Sequence, residues 1–256
     1  MSRLIKTLAT AALIPLSVLA TASHAAFNDA QQKEIQGIVG TYLQGNPQVI
    51  ISALQSYQQK QMADAEQTIK NTQKDAPQFA QSLFHNASDP VAGNPNGTVT
   101  IVEFFDYQCS HCVAMSPVLA ETIKSSPNVR IVFKEFPIRG PLSDYASRAA
   151  LAANLQGKYL AFHDELMKTK QPYTQEAILA AAKTVGLNVE QLQKDMDGQA
   201  VKDQIQANMK LAQDLKLLGT PAFFIGKTDA TTASSINYVP GELKQTQIQE
   251  LIKKNS

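Results

Sequence analysis

Thr98-Val-Thr-Ile-Val-Glu-Phe-Phe-Asp106 places apolar residues on both alternating faces, the pattern of a strand buried on each side. Helical spacing follows from about Cys109 to Lys124, and a second apolar strand from Val129 to Phe136. After Pro141 the pattern is helical only, up to about Leu218, with Thr174 and Asn188 placed as N-caps and Gly186 and Gly219 as stops. Ala222–Gly226 and Ile236–Val239 then read as short strands, and Glu242–Lys253 as a terminal helix. Strand, helix, strand, helical block, strand, strand, helix is the order of an α/β sheet domain that carries an all-helical insertion over about 142–218.

Ahead of this domain the apolar pattern thins to one stripe. Asn46-Pro47 reads as a helix start, with Asn able to cap and Pro tolerated in the first turn. Beyond it Ile50, Leu54, Tyr57, Gln61, Ala65 and Ile69 recur at steps of three and four, on a segment so polar that thirteen glutamines lie between Gln31 and Gln81. A narrow stripe cannot bury itself. It must pack on the preceding helix, around Ile35, Ile38, Val39, Tyr42 and Leu43, or on the same stripe of another copy; the long thin seam favours self-association. Residues 26–85 are therefore expected to be a helical oligomerisation region, the turn-rich His85–Gly97 a link, and 86–256 the sheet domain.

Residues 1–25 have the layout of a secretory signal peptide: Arg3 and Lys6, an apolar run from Leu8 to Ala20, then Ser23 and Ala25 at the −3 and −1 positions of a cut. The run is short for a membrane span and is broken by Pro15 and Ser17, and no cysteine follows it to carry a lipid. The 256 residues are 44% hydrophobic and 18% charged, which excludes a disordered chain. Loss of the leader takes the net charge from +1 to −1, so nothing electrostatic favours nucleic acid as a partner.

Two cysteines, Cys109 and Cys112, are too few for a disulfide framework or a four-thiolate zinc site. Their disulfide would close a loop so short that chain entropy gives only about 2 kcal/mol, a poor staple. The pair is better suited to opening and closing. With His85, His111 and His163 at no ligand spacing, neither a metal nor a cofactor beyond the Cys109–Cys112 disulfide is expected. Cys109 falls at a helix N-terminus, where free N–H groups and the dipole favour a thiolate, and the intervening Ser110 and His111 place an imidazole within reach of its sulfur. Cys109 is thus the expected nucleophile, and Cys112, one turn further in, the buried resolving thiol. Glu103 shares a strand face with Val99, Ile101 and Phe105, so its carboxyl points into apolar surroundings that raise its pKa. That makes it a candidate proton acceptor for Cys112, with Lys134 on the neighbouring strand as a candidate partner.

Phe104-Phe105-Asp-Tyr-Gln-Cys109-Ser-His-Cys112, with Pro117 five residues on, Glu103 six residues before Cys109, and Gly219-Thr220-Pro221-Ala-Phe-Phe-Ile-Gly, resembles the thioredoxin fold and more narrowly the DsbA family of exported thiol oxidoreductases. The resemblance covers about residues 90–255. It implies a helical insertion in the observed place and a cis Thr220-Pro221 loop facing the cysteines, which leaves the Thr220 backbone to receive an extended substrate strand; Ser110 would join that substrate surface. Asn46-Pro47-Gln-Val-Ile and the glutamine-rich helix, with Gly93-Asn-Pro-Asn-Gly, are similar to the ScsC and 27 kDa outer-membrane-protein type, in which N-terminal helices form dimers or trimers. What this implies is a periplasmic homo-oligomer, a dimer favoured over a trimer, with outer-membrane association left open. Its partners would be unfolded or misoxidised exported proteins and a membrane redox protein that resets the pair. The dipeptide here is Ser-His where the best-known DsbA members have Pro-His. The leading expectation is a periplasmic protein thiol:disulfide oxidoreductase that oxidises dithiols and also isomerises wrong disulfides, oxidation being the better supported of the two; the alternatives are an oxidase without isomerase activity and a non-catalytic exported binding or surface protein that uses the helical arm.

Overall fold

The computed structural model describes residues 27–170, 173–230 and 236–256. The expected signal peptide lies outside them. The chain divides into two compact units between Gln58 and Gln59, upstream of the boundary near 85 expected from composition.

In the first unit, α1 (Asp29–Gly45) opens with a capping box in which the Asn28 side chain accepts from the Gln31 N–H and Gln31 returns the bond. Helix α2 (Pro47–Asp75) begins at the expected proline, but Asn46 does not cap it. Its side-chain amide instead donates to the Tyr42 carbonyl at 2.8 Å, closing the end of α1. Ile35, Ile38, Val39, Tyr42, Ile50, Leu54 and Tyr57 are all exposed.

The second unit is built on a five-stranded sheet in the order β1-β3-β2-β4-β5: β1 (Val91–Gly93), β2 (Val99–Phe105), β3 (Val129–Glu135), β4 (Ala222–Lys227) and β5 (Ile236–Pro240). Strands β2 and β3 are parallel, joined through α4 (Ser110–Ser125), and the remaining pairs are antiparallel. β1 lies inside the segment expected to be a link. Three residues are too few to show alternation, and their pairing to β3 rests on Gly93 at φ +77, where a Cβ would meet the Val129 carbonyl oxygen at 2.6 Å.

Every residue of β2 is buried because both faces of the sheet are covered. Val99, Ile101 and Phe105 pack with Val129, Ile131, Phe133, Phe223 and Ile225 under α4, the terminal helix α10 (Gln245–Asn255), and the insertion. The insertion comprises α5 (Pro141–Leu155), α6 (Tyr159–Lys168), α7 (Gln175–Thr184), α8 (Val189–Met196) and α9 (Gln199–Asp214). On the other face Val102, Phe104, Val132, Phe136 and Phe224 pack with Leu83 and Phe84 of α3 (Ala80–Phe84), Ala76 of the preceding 3-10 turn, and Leu211 and Leu215. Residues 76–84 therefore complete the sheet's core.

Thr174 and Asn188 cap α7 and α8 as expected, accepting from the N–H groups of Ala177 and Gln191. Gly219 is not the stop of α9. That helix ends at Asp214, and the left-handed residue after it is Lys216, at φ 54.

Candidate active site

Strand β2 delivers its last residues to a loop that the buried Asp106 organises. Asp106 Oδ1 accepts from the Gln108 N–H at 2.7 Å and the Ser143 hydroxyl at 2.8 Å, while Oδ2 accepts from the N–H groups of Ile138 and Arg139 at 2.8 and 3.0 Å. Four donors on one carboxylate tie the cysteine loop to the segment that joins β3 to α5. The sequence reading passed over Asp106; a carboxylate at the end of a largely apolar, fully buried strand is the one signal that marked it.

Cys109 is the N-cap of α4, in extended backbone geometry, and Cys112 lies in the first turn; both are free thiols and both are buried. As a thiol, Cys109 donates to the Thr220 carbonyl at 3.3 Å. Burial works against its ionisation, but hydrogen bonding at Thr220, from the Cys112 backbone and thiol, and from the His111 backbone outweighs burial and lowers its pKa. For Cys112 burial dominates, the nearby Glu103 adds to it, and the pKa is pushed far above that of a free thiol. Neighbouring sulfurs in one helical turn thus differ sharply in their readiness to ionise.

Glu103 occupies the same sheet face as the cysteines, with Oε1 buried and unpartnered. Burial first, then the charges of Glu135 and Cys109, raise its pKa to about 8. The expected pairing with Lys134 does not form. Lys134 stands opposite Phe104 in the register, one residue out of phase with Glu103, so it points through the other face. There it is buried, ion-paired to Asp89, and donates to the Ser82 carbonyl at 2.6 Å.

His111 is exposed, and its Nδ1 lies 2.6 Å from Glu242 Oε1; the structure gives Cys109 the backbone of His111, while the imidazole faces away to Glu242. Ser110 is exposed at the first helical position. Thr220-Pro221 is cis, and Thr220 is brought against Cys109. Arg139, which the sequence reading also missed, places Nη2 at 3.8 Å from Cys109 Sγ.

Beneath the cysteine loop lies a buried polar cluster. Tyr107 and Tyr159 donate to Glu135 Oε1 at 3.1 and 2.7 Å, and Tyr107 Oη is 3.2 Å from His163 Nδ1. Burial pushes Glu135 up to about 8 and His163 down to about 3, so His163 is neutral throughout the physiological range. Among the described residues no group of three His, Cys, Asp or Glu side chains is placed to hold a metal ion.

Residues 100–253 match the DSBA-like thioredoxin domain family, and residues 31–63 match the copper resistance protein ScsC N-terminal domain. The chain is 29% identical over 151 residues to the thiol:disulfide interchange protein DsbA of Bordetella parapertussis, spanning 56% of this chain and 70% of that one. A thioredoxin-like oxidoreductase structure from Silicibacter pomeroyi is 43% identical, with a TM-score of 0.63, covering 68% of this chain and 95% of that one. A linker-deleted mutant of Proteus mirabilis ScsC is 25% identical with a TM-score of 0.64, covering 91% of this chain and 98% of that one. With over half of its length matched, and a redox-capable cysteine pair at the start of α4, the chain belongs to the DsbA-like thioredoxin-domain family and is a protein thiol:disulfide oxidoreductase.

Proposed function

We propose that the chain is an exported, periplasmic homo-oligomer that introduces disulfide bonds into secreted proteins through Cys109 and Cys112 and also repairs wrong ones. The asymmetry of the two sulfurs carries this reading: Cys109 is held towards the thiolate and Cys112 towards the thiol. In oxidation, a substrate thiolate attacks Cys109 Sγ of the enzyme disulfide and expels the Cys112 sulfur, which takes up a proton. Glu103 shares the apolar face with Cys112 and is protonated at neutral pH, so it can supply that proton directly or through water and take it back on reoxidation. A second substrate thiolate then attacks the substrate sulfur of the mixed disulfide and releases Cys109 as a thiolate. In repair, the Cys109 thiolate attacks a substrate disulfide instead. The Thr220-Pro221 backbone receives the substrate as an extended strand, with Ser110 at the rim. The reduced pair is returned to the disulfide by a membrane redox partner.

Oligomerisation rests on the exposed stripe of α1 and the first half of α2, and on the match of residues 31–63 to the ScsC N-terminal domain. A dimer accounts for one self-complementary seam with the fewest copies. Native mass, dithiol oxidation and scrambled-disulfide repair measured together test the proposal. Cys109→Ser should abolish both activities and leave the mass unchanged. Ile38→Glu with Leu54→Glu should give monomers that still oxidise dithiols but lose repair. Undiminished activity in the serine variant, or a monomeric unmodified chain, overturns the respective half.

A further inference from the structure

We infer that Arg139 is the charged partner of the Cys109 thiolate and governs how readily that sulfur leaves in disulfide exchange. The inference deepens the reading above and rests on Cys109 being the reacting sulfur. Nη2 of Arg139 stands 3.8 Å from Cys109 Sγ, the one cationic contact the structure gives that sulfur among the described residues. A guanidinium stays charged at every working pH and has donors only, so it favours the anion over the neutral thiol. Glu103 on the same face acts the other way once ionised, since its charge couples unfavourably to Cys109. His111, the other cation candidate at this helix start, is bonded to Glu242.

Arg139 is exposed, but the backbone that carries its side chain is fixed beside the cysteine loop. The Arg139 N–H is bound by Asp106 Oδ2 at 3.0 Å, and the Arg139 carbonyl accepts from Gln108 Nε2 at 3.4 Å. Gln108 is itself bonded to Ser143 at 2.8 Å, and Ser143 to Asp106. Asp106 and Gln108 flank the cysteine on one side and hold the arginine backbone on the other, which makes Asp106 a positioning residue for this contact.

Arg139 acts at the last step of oxidation. The substrate dithiol gives up two electrons; a new substrate S–S bond forms as the Cys109–substrate bond breaks, and the electron pair stays on Cys109. One substrate proton ends on Cys112 and the other goes to solvent. A cation beside the departing sulfur speeds this release and stabilises the reduced enzyme, which makes the disulfide more oxidising.

The test uses the mature chain with Arg139→Gln and Arg139→Lys beside the unmodified protein. The readouts are thiolate absorbance against pH, the equilibrium with glutathione, and circular dichroism. The glutamine variant should keep its fold, raise the Cys109 midpoint by about one unit, and shift the glutathione equilibrium about tenfold towards the enzyme disulfide, about 30 mV. Lysine should recover most of the shift. An unchanged midpoint and equilibrium in the glutamine variant overturn the inference while leaving the oxidoreductase reading intact. A glutamine shift that lysine fails to recover assigns the effect to loop geometry and also overturns it. Absence of exchange in the unmodified protein removes both.

Discussion

Strands β2 and β3 bury ionisable side chains on both faces of one sheet, and the faces treat them differently. On the cysteine face Glu103 and Glu135 make no ion pair among the described residues; Glu103 leaves Oε1 unpartnered and Glu135 is met by two tyrosine hydroxyls. Both are raised to about 8, burial being the first cause in each. On the opposite face Lys134 and Asp89 are ion-paired, with the Ser82 carbonyl accepting a further hydrogen bond from Lys134 and Gln204 donating to Asp89 at 3.3 Å. A buried acid without a counter-ion can gain or lose a proton near neutral pH; in the pair burial also raises Asp89 and lowers Lys134, but the charge of each partner opposes the other's shift. The sheet thus keeps proton exchange beside the sulfurs and fixed charge away from them.

Breaking the fixed side should have the largest effect. Lys134→Met leaves the Asp89 carboxylate buried without its cation, and loss of one partner of a buried pair costs about 3–5 kcal/mol. Urea unfolding should show this loss, while the folded fraction exchanges disulfides at the normal rate. A loss below about 1 kcal/mol, or a rate that falls with stability unchanged, would erase the contrast between the faces.

Glu103→Gln tests the other side and should reverse the pattern. Removal of a general acid–base group at Cys112 should slow exchange about 100-fold. Stability should respond with a defined sign. Below the ordinary carboxyl range Glu103 is protonated in both folded and unfolded chains; from there up to about 8 only the unfolded chain has released its proton, so stability falls as pH rises, and above about 8 the loss is complete. The slope for one such group is at most about 1.4 kcal/mol per pH unit. Glutamine removes this group's share, so urea midpoints between pH 5 and 8 should fall less steeply in the variant, with Glu135 among the contributors that remain. A parallel pair of curves would mean that Glu103 is not held protonated in the fold.

How far the sequence anticipated this contrast follows from what each feature depends on. The doubly apolar run at Thr98–Asp106 announced a central strand, and parity alone put Glu103 with Val99, Ile101 and Phe105, where the structure has it. Parity also held the information that Lys134 points the other way, but this needs the register of β2 against β3, which pairs Phe104 with Lys134 and is set by packing across the sheet. Asp89 and Arg139 were illegible for a similar reason. Each is a loop residue whose partner lies 45 or 30 positions away, and no local periodicity reports such a contact. The short β1 escaped because three residues carry no alternation, and α3 because one turn of apolar residues beside a polar helix looks like that helix's end.

His111→Ala should have the smallest effect, and it decides how the cysteine face holds its charge. The sequence places this imidazole between the cysteines, next to the sulfur; the structure turns it to Glu242, with the two side chains 64% and 49% exposed. An ion pair that open to water contributes at most about 1 kcal/mol, and salt screens it further. Alanine leaves the backbone N–H that serves Cys109 in place, because that donor belongs to the helix and not to the side chain. The Cys109 midpoint should therefore move much less than in Arg139→Gln, and the urea midpoint should change only slightly. A shift in the thiolate titration as large as that of the arginine variant would mean that the imidazole leaves Glu242 in solution and stands over the sulfur, and the charge on this face would then come from α4 itself rather than from the loop that Asp106 holds against it.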